Sequence, residues 1–250
     1  MATISETNAG QLNKNTPLAG KVALVTGGSR GIGRAIAMKL ASLGADVAIC
    51  GRDAAKLEEA AAALRAFGGR AESFRADVTK ASEVAELVRN VEAKLAPIRI
   101  LVNNAGMGLF GPVHEKTEEE WDRLMNTNLK SVFLVSRAVV PGMIRNAGGD
   151  IINISSLAGK NVFAGGGVYC ASKWGVQGLS GCMAEELREH RIRVSTICPG
   201  SVATEFSGRG PKDATKVLRP EDVAHAVAML ATQGEQSFLS EVQLRPLRKA

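Results

Sequence analysis

The chain has 250 residues, 45% of them hydrophobic, with 31 Lys and Arg against 25 Asp and Glu for a net charge of +6. That length and apolar content suit one globular domain with a full core, and no apolar stretch reaches the roughly 18–20 residues a membrane span needs. The basic residues are scattered among acids and aromatics make up only 4%, so neither a membrane nor a nucleic acid is expected as a partner.

Residues 1–17 are polar and lack an apolar signal core, which predicts a mobile N-terminal tail, a domain over residues 18–250 and a cytoplasmic protein. The first strand is expected at Val22–Thr26. It runs into Thr26-Gly27-Gly28-Ser29-Arg30-Gly31-Ile32-Gly33, which opens a helix over Gly31–Leu43. Glycines in such a turn let the backbone approach a pyrophosphate, and the helix N-terminus offers free N–H groups to it. Gly27, Ser29, Arg30, Gly31, Ile32 and Gly33 are therefore candidate dinucleotide contacts.

The second strand, Asp46–Cys50, precedes a helix over Ala54–Phe67. Dinucleotide sites for NAD usually place an acid at that strand end, to bind the ribose hydroxyls. Here Gly51 and Arg52 follow the strand. With Arg30 in the glycine turn, Arg52 predicts a planar grip on a 2′-phosphate and hence NADP(H). Asp53 is expected to cap the following helix.

A third strand, Ala71–Arg75, leads to a helix over Ala81–Leu95, and a fourth, Ile100–Asn103, ends in Asn103-Asn104-Ala105-Gly106. Thr117 and Glu120 form a capping box for one long helix over Thr117–Arg145. The fifth strand, Asp150–Ser155, ends at Ser155-Ser156, and a helix over Val168–Glu189 carries Tyr169, the single tyrosine of the chain, and Lys173 on one face. The ammonium is expected to lower the phenol pKa and make it a proton donor or acceptor. A sixth strand, Arg193–Cys198, runs into Pro199-Gly200. Pro220 starts a last helix to Ala231, and Ser237–Leu244 is the seventh strand.

Strands alternating with helices predict an α/β fold, a doubly wound parallel sheet of Rossmann type with about seven strands and helices on both faces. Cys50, Cys170, Cys182 and Cys198 lack metal-ligand spacing, so no metal is expected and all four read as buried thiols.

Together, Thr26 to Gly33, Asn103 to Gly106 and Tyr169 to Lys173 resemble the TGxxxGxG, NNAG and YxxxK motifs of the short-chain dehydrogenase/reductase family, over nearly all of Val22–Leu244. The resemblance implies an NADP-linked oxidoreductase interconverting a carbonyl and an alcohol. Tyr169 would be its general acid–base, and Lys173 would hold the nicotinamide ribose and tune Tyr169. It selects Ser156, thirteen residues before Tyr169, to hydrogen-bond the substrate oxygen, and Asn128 to support a water linking Lys173 to solvent. It places Asp77 and Val78 at the adenine and Asn104, Ala105 and Gly106 along the ribose. Pro199, Gly200, Val202 and Thr204 would border the nicotinamide.

The front half resembles 3-oxoacyl-acyl-carrier-protein reductases. The short, polar Ser207–Leu218 segment and the C-terminus are closer to relatives acting on small 3-hydroxy acids or assorted carbonyls. A small-molecule or acyl-thioester carbonyl is thus the expected substrate, and Arg209 and Lys212 are candidates to attract an anionic one. Oxidation of a small 3-hydroxy acid with NADP and a non-catalytic NADPH-binding regulator are the alternatives. Relatives pair through their fourth and fifth long helices, so a homotetramer or homodimer is expected, with Gly175, Gly178 and Gly181 permitting close helix approach.

Overall fold

The computed structural model describes residues 16–207, 213 and 215–248. Among these, seven strands form one parallel sheet in the order β3-β2-β1-β4-β5-β6-β7. They are β1 (Val22–Thr26), β2 (Asp46–Gly51), β3 (Ala71–Arg75), β4 (Ile98–Asn103), β5 (Gly149–Ile154), β6 (Ile192–Pro199) and β7 (Glu241–Leu244). The α/β doubly wound fold expected from the sequence is the fold found.

Residues of the central strands alternate between two cores. Ala23, Val25, Ile49, Val102 and Ile152 face one side of the sheet. There they meet α1 (Gly31–Ser42), α2 (Ala54–Arg65) and α7 (Pro220–Ala231). Val22, Leu24, Ala48, Leu101 and Ile151 face the other side, against α3 (Ala81–Lys94), α5 (Ser131–Arg145) and α6 (Gly167–Leu187). The near-continuous apolar strands thus follow from a sheet covered on both faces.

The local signals act as expected. Asp53 accepts from the Lys56 N–H at 3.2 Å. Thr117 and Glu120 form their reciprocal capping box on α4 (Glu118–Met125). Asp222 accepts from the Arg219 N–H at 2.7 Å at the start of α7.

Three expectations are corrected. The long helix over Thr117–Arg145 is interrupted: a π-helical turn, Asn126–Lys130, separates α4 from α5. Side-chain hydroxyls take carbonyls there, Thr127 from Arg123 and Ser131 from Thr127, which loosens the regular ladder. The last strand is shorter than Ser237–Leu244, because the Ser237 N–H turns back to Gly234 O and Gln233 Oε1 takes the Leu239 N–H. Cys182 is exposed, whereas Cys50, Cys170 and Cys198 are buried. Thr16 belongs to a turn, accepting from the Ala19 N–H at 3.0 Å, and Leu18 beside it is fully buried. The expected tail over residues 1–15 lies outside the described residues, as do residues 208–212 with Arg209 and Lys212. No helix among the described residues is long and apolar enough to cross a membrane.

Candidate active site

The carboxyl ends of the strands open into a cleft of about 1180 Å³, the position where doubly wound sheets bind ligands. Its floor is the turn between β1 and α1. Gly27 has φ +66°, and a Cβ on Gly33 would stand 2.2 Å from Gly27 O, so only glycine fits this crossing of turn and helix. No described side chain caps α1, and its first turn holds no acid. Its leading N–H groups therefore face the cleft as an anion site.

Asn104 fastens the end of β4 to this floor. Its amide nitrogen donates to Thr26 O at 2.9 Å. Thr26 Oγ1 accepts from the N–H groups of Asn104 and Ala105, both at 3.0 Å. Ser29, Gly31, Ile32 and Gly106 complete this stretch of the lining.

Gly51 closes β2, and the exposed Arg52 lines the cleft beside it. Lys56 lines the same end, with Nζ 3.7 Å from Asp53 Oδ2. Arg30 reaches the other way and pairs with Glu205 at 2.8 Å. The two arginines are therefore not equivalent: Arg30 is ion-paired with Glu205, while Arg52 lines the β2 end of the cleft, as does Lys56 beside Asp53. Asp77 and Val78 wall this end. Burial pushes the Asp77 carboxyl up, but Thr79 hydrogen bonds and the Arg52 charge outweigh it and hold the group below the usual carboxylate range.

At the opposite end α6 presents Tyr169 and Lys173, both buried. Ser156 follows β5, accepts from the Ala158 N–H at 3.1 Å and hydrogen-bonds Tyr169. The adjacent Ser155 instead donates to Lys173 O at 3.3 Å, so Ser156 is the serine at the phenol. Pro199, Gly200, Val202 and Thr204 line the wall beyond β6. The far part of the short Ser207–Leu218 segment returns to this wall, where the Leu218 N–H donates to Ser201 O at 2.8 Å.

Asn128 sits in the π-helical turn and is 1% exposed. Its carbonyl oxygen accepts from the Met107 N–H at 2.8 Å, and its amide donates to Met107 O at 2.9 Å and to Ser172 Oγ at 3.1 Å. Ser172 then donates to Tyr169 O at 2.7 Å. The extra residue of the turn aims Asn128 inward, and Asn128 ties the strand-end loop to the tyrosine helix.

One expectation fails here. The ammonium does not lower the phenol: burial pushes Tyr169 up to about 12, against the opposing hydrogen bond with Ser156. Lys173 Nζ lies 5.9 Å from the tyrosine ring centroid and donates to Ile154 O at 2.9 Å. Burial brings Lys173 itself down to about 8. At neutral pH Tyr169 is thus the neutral, proton-donating phenol, with a buried ammonium behind it.

The family model for short chain dehydrogenases matches residues 21–214. The chain belongs to the short-chain dehydrogenase family. Over 228 residues it is 37% identical to an uncharacterized oxidoreductase of Staphylococcus saprophyticus, covering 91% of this chain and 97% of that one. A metagenomic short-chain oxidoreductase solved in complex with NADP is 48% identical, with a TM-score of 0.83 over 93% of this chain and 100% of that one. An alcohol dehydrogenase of the archaeon Thermococcus sibiricus, complexed with 5-hydroxy-NADP, is 31% identical with a TM-score of 0.86, over 91% and 97% of the two chains.

Several residues of this short-chain dehydrogenase's cleft were missed by sequence reasoning. Lys56 had a signal, a base in the first turn of the helix after Arg52. Thr26 had one as well, as the first residue of the glycine motif. Ser172 lies within the YxxxK spacing but looks like filler there. Phe110, Phe163 and Phe206 line the cleft around Tyr169 and carry no signal, because three distant loops bring them together.

Proposed function

We propose that this short-chain dehydrogenase is an NADPH-dependent carbonyl reductase. The observation that carries the reading is one cleft with Arg52 and Lys56 where a ribose-binding acid would stand, and a protonated Tyr169 beside Ser156 at its far end. The NADP complexes of the two solved relatives support the cofactor. The glycine floor and the uncapped α1 fit a pyrophosphate, and Asp77 and Val78 fit the adenine side. Arg52, with Lys56, fits a 2′-phosphate. Gly106 fits the ribose side, where a Cβ would crowd Asn128 Oδ1 at 3.3 Å.

When bound, the nicotinamide supplies a hydride to the carbonyl carbon. Ser156 holds the carbonyl oxygen at Tyr169. Tyr169 gives its phenolic proton to that oxygen as the alcohol forms. Lys173 steadies the resulting tyrosinate, and reprotonation from solvent restores the phenol. The short, polar sequence after Thr204 favours a small ketone or aldehyde over a carrier-bound acyl thioester as the substrate. Cytoplasmic residence remains part of this reading.

Replacing Arg52 by Ala is expected to weaken NADPH about ten-fold or more, as loss of a charge-assisted contact would. NADH should change far less. Fluorescence titration of both cofactors checks this, and equal losses contradict the 2′-phosphate assignment.

The chain is also proposed to form a homotetramer or homodimer through α5 and α6. Phe133 and Trp174 are 45% and 50% exposed on these helices. Cβ atoms on Gly178 and Gly181 would meet nothing within 4 Å, whereas Gly175 packs on Leu129 of the same chain. Light scattering at micromolar concentration should give two or four times the monomer mass, and a monomer mass contradicts it.

A further inference from the structure

The reductase reading leaves the substrate's class open, and the walls around Tyr169 narrow it. The tyrosine ring stands edge-on to two others: Phe110, with centroids 5.3 Å apart at 62°, and Phe206, at 6.0 Å and 64°. Phe163 adds a third ring, 6.1 Å from Phe110.

These rings are fixed by their backbones. The Gly111 N–H donates to Gly165 O at 2.8 Å, which joins the Phe110 loop to the Phe163 loop. A Cβ on Gly108 would stand 2.9 Å from Phe110 Cε2 and 3.0 Å from Phe206 Cε1, so both rings close over bare backbone. Phe163 and Phe206 nevertheless remain 48% and 42% exposed, and Val162 beside them is 81% exposed. A chain of 250 residues with only 7 Phe places three of them at the mouth of one cleft and leaves two half in water. Concave apolar surface of this kind becomes favourable when a ligand covers it.

Charge points the same way. The described cations at this end of the cleft are already engaged: Lys173 is buried and donates to Ile154 O, and Lys116, beside Gly111, lies 3.7 Å from Glu120. Arg30 is taken by Glu205, and Lys160 nearby pairs with Glu241 at 2.5 Å. Among the described residues, a carboxylate or phosphate on the substrate would lose water here and find no cation that is not already paired or hydrogen-bonded.

Resting on the reductase reading, we propose that the substrate is a neutral ketone or aldehyde carrying an aromatic ring. That ring fills the space bounded by Phe110, Phe163 and Phe206, while its carbonyl oxygen meets Ser156 and Tyr169. Aromatic pairs prefer the edge-to-face and offset geometries these three rings can offer. The carbonyl carbon gains the hydride, its oxygen gains the tyrosine proton, and an aryl-substituted alcohol leaves. Phe110, Phe163 and Phe206 are then the specificity-determining residues.

The test uses the full chain with NADPH and ketones matched at the carbonyl: 4-phenyl-2-butanone, 4-cyclohexyl-2-butanone, 2-butanone and acetoacetate. The expected kcat/KM for the phenyl ketone exceeds that for 2-butanone and acetoacetate by about ten-fold or more, and that for the cyclohexyl ketone by about three-fold. In Phe163→Ala and in Phe206→Leu the phenyl-to-cyclohexyl ratio should fall toward one, chiefly through KM. The exposed Phe163 position makes the first variant easy to fold, and the second conserves apolar bulk. Turnover with a phenyl-to-cyclohexyl ratio near one in the natural chain, a ratio untouched in both variants, or a preference for acetoacetate overturns the substrate class alone. Bound NADPH with no ketone consumed overturns the reductase reading and this proposal with it.

Discussion

Tyr169→Phe should lower kcat by about 10²–10⁴-fold, the range supplied by a positioned general acid. NADPH binding should persist, because the variant removes one hydroxyl and leaves the ring between Phe110 and Phe206. The fold should hold as well: the lost group is a buried phenol whose partner Ser156 retains the Ala158 N–H. The pH profile gives a second readout. The phenol is raised by burial to about 12, so the proton-donating form is fully populated at neutral pH. It is withdrawn only as pH rises toward that value. Reduction by the natural chain should therefore show no loss from phenol ionisation near neutrality. The residual rate of the Phe variant should lack any inflection due to the phenol. Full activity in Tyr169→Phe, with NADPH still bound, would remove Tyr169 from the chemistry.

Asn128→Ala should be the most destabilising single change at the site. Its side chain, 1% exposed, satisfies the N–H and C=O of the half-buried Met107 and bonds the buried Ser172 Oγ. Orphaned buried groups cost about 1–3 kcal/mol each, so the two Met107 groups alone suggest a loss of about 3 kcal/mol. For a domain of this size that lowers Tm by roughly 6–12 °C. The catalytic effect should follow from the Asn128–Ser172–Tyr169 chain of hydrogen bonds, with kcat falling more than KM rises. Calorimetry and steady-state kinetics check the two parts. A Tm within about 2 °C of the natural chain would show that the turn does not depend on this residue.

The sequence made the sheet legible because parallel strands buried on both faces are apolar throughout, as in Ile100-Leu101-Val102. It made the glycine turn legible because the strand, turn and helix N-terminus are consecutive in the chain. The π-helical turn at Asn128 was not legible: one extra residue per turn has no propensity signature, and Thr127 and Ser131 look ordinary in a helix. The tyrosine's proton affinity was misread for a related reason. YxxxK spacing reports that two groups share a helix face, but it says nothing of how deeply both are buried or that Lys173 is held by Ile154 O. The aromatic mouth was the least legible part, since Phe110, Phe163 and Phe206 meet only once their three loops are placed.

The strand order carries a consequence for how this molecule comes into being. β1 lies beside β4, and a hydrogen bond from Thr26 to Val102 joins positions 76 apart in the chain. No neighbouring pair of strands along the chain can make that seam, so it closes only after three crossovers, through α1, α2 and α3, have been laid down. The cleft straddles this seam, with its phosphate floor on one bank and Ser156 and Tyr169 on the other. A partly folded chain can therefore own every residue of the site and still have no site. Catalytic activity during refolding should emerge as one late event, after most helix has already formed.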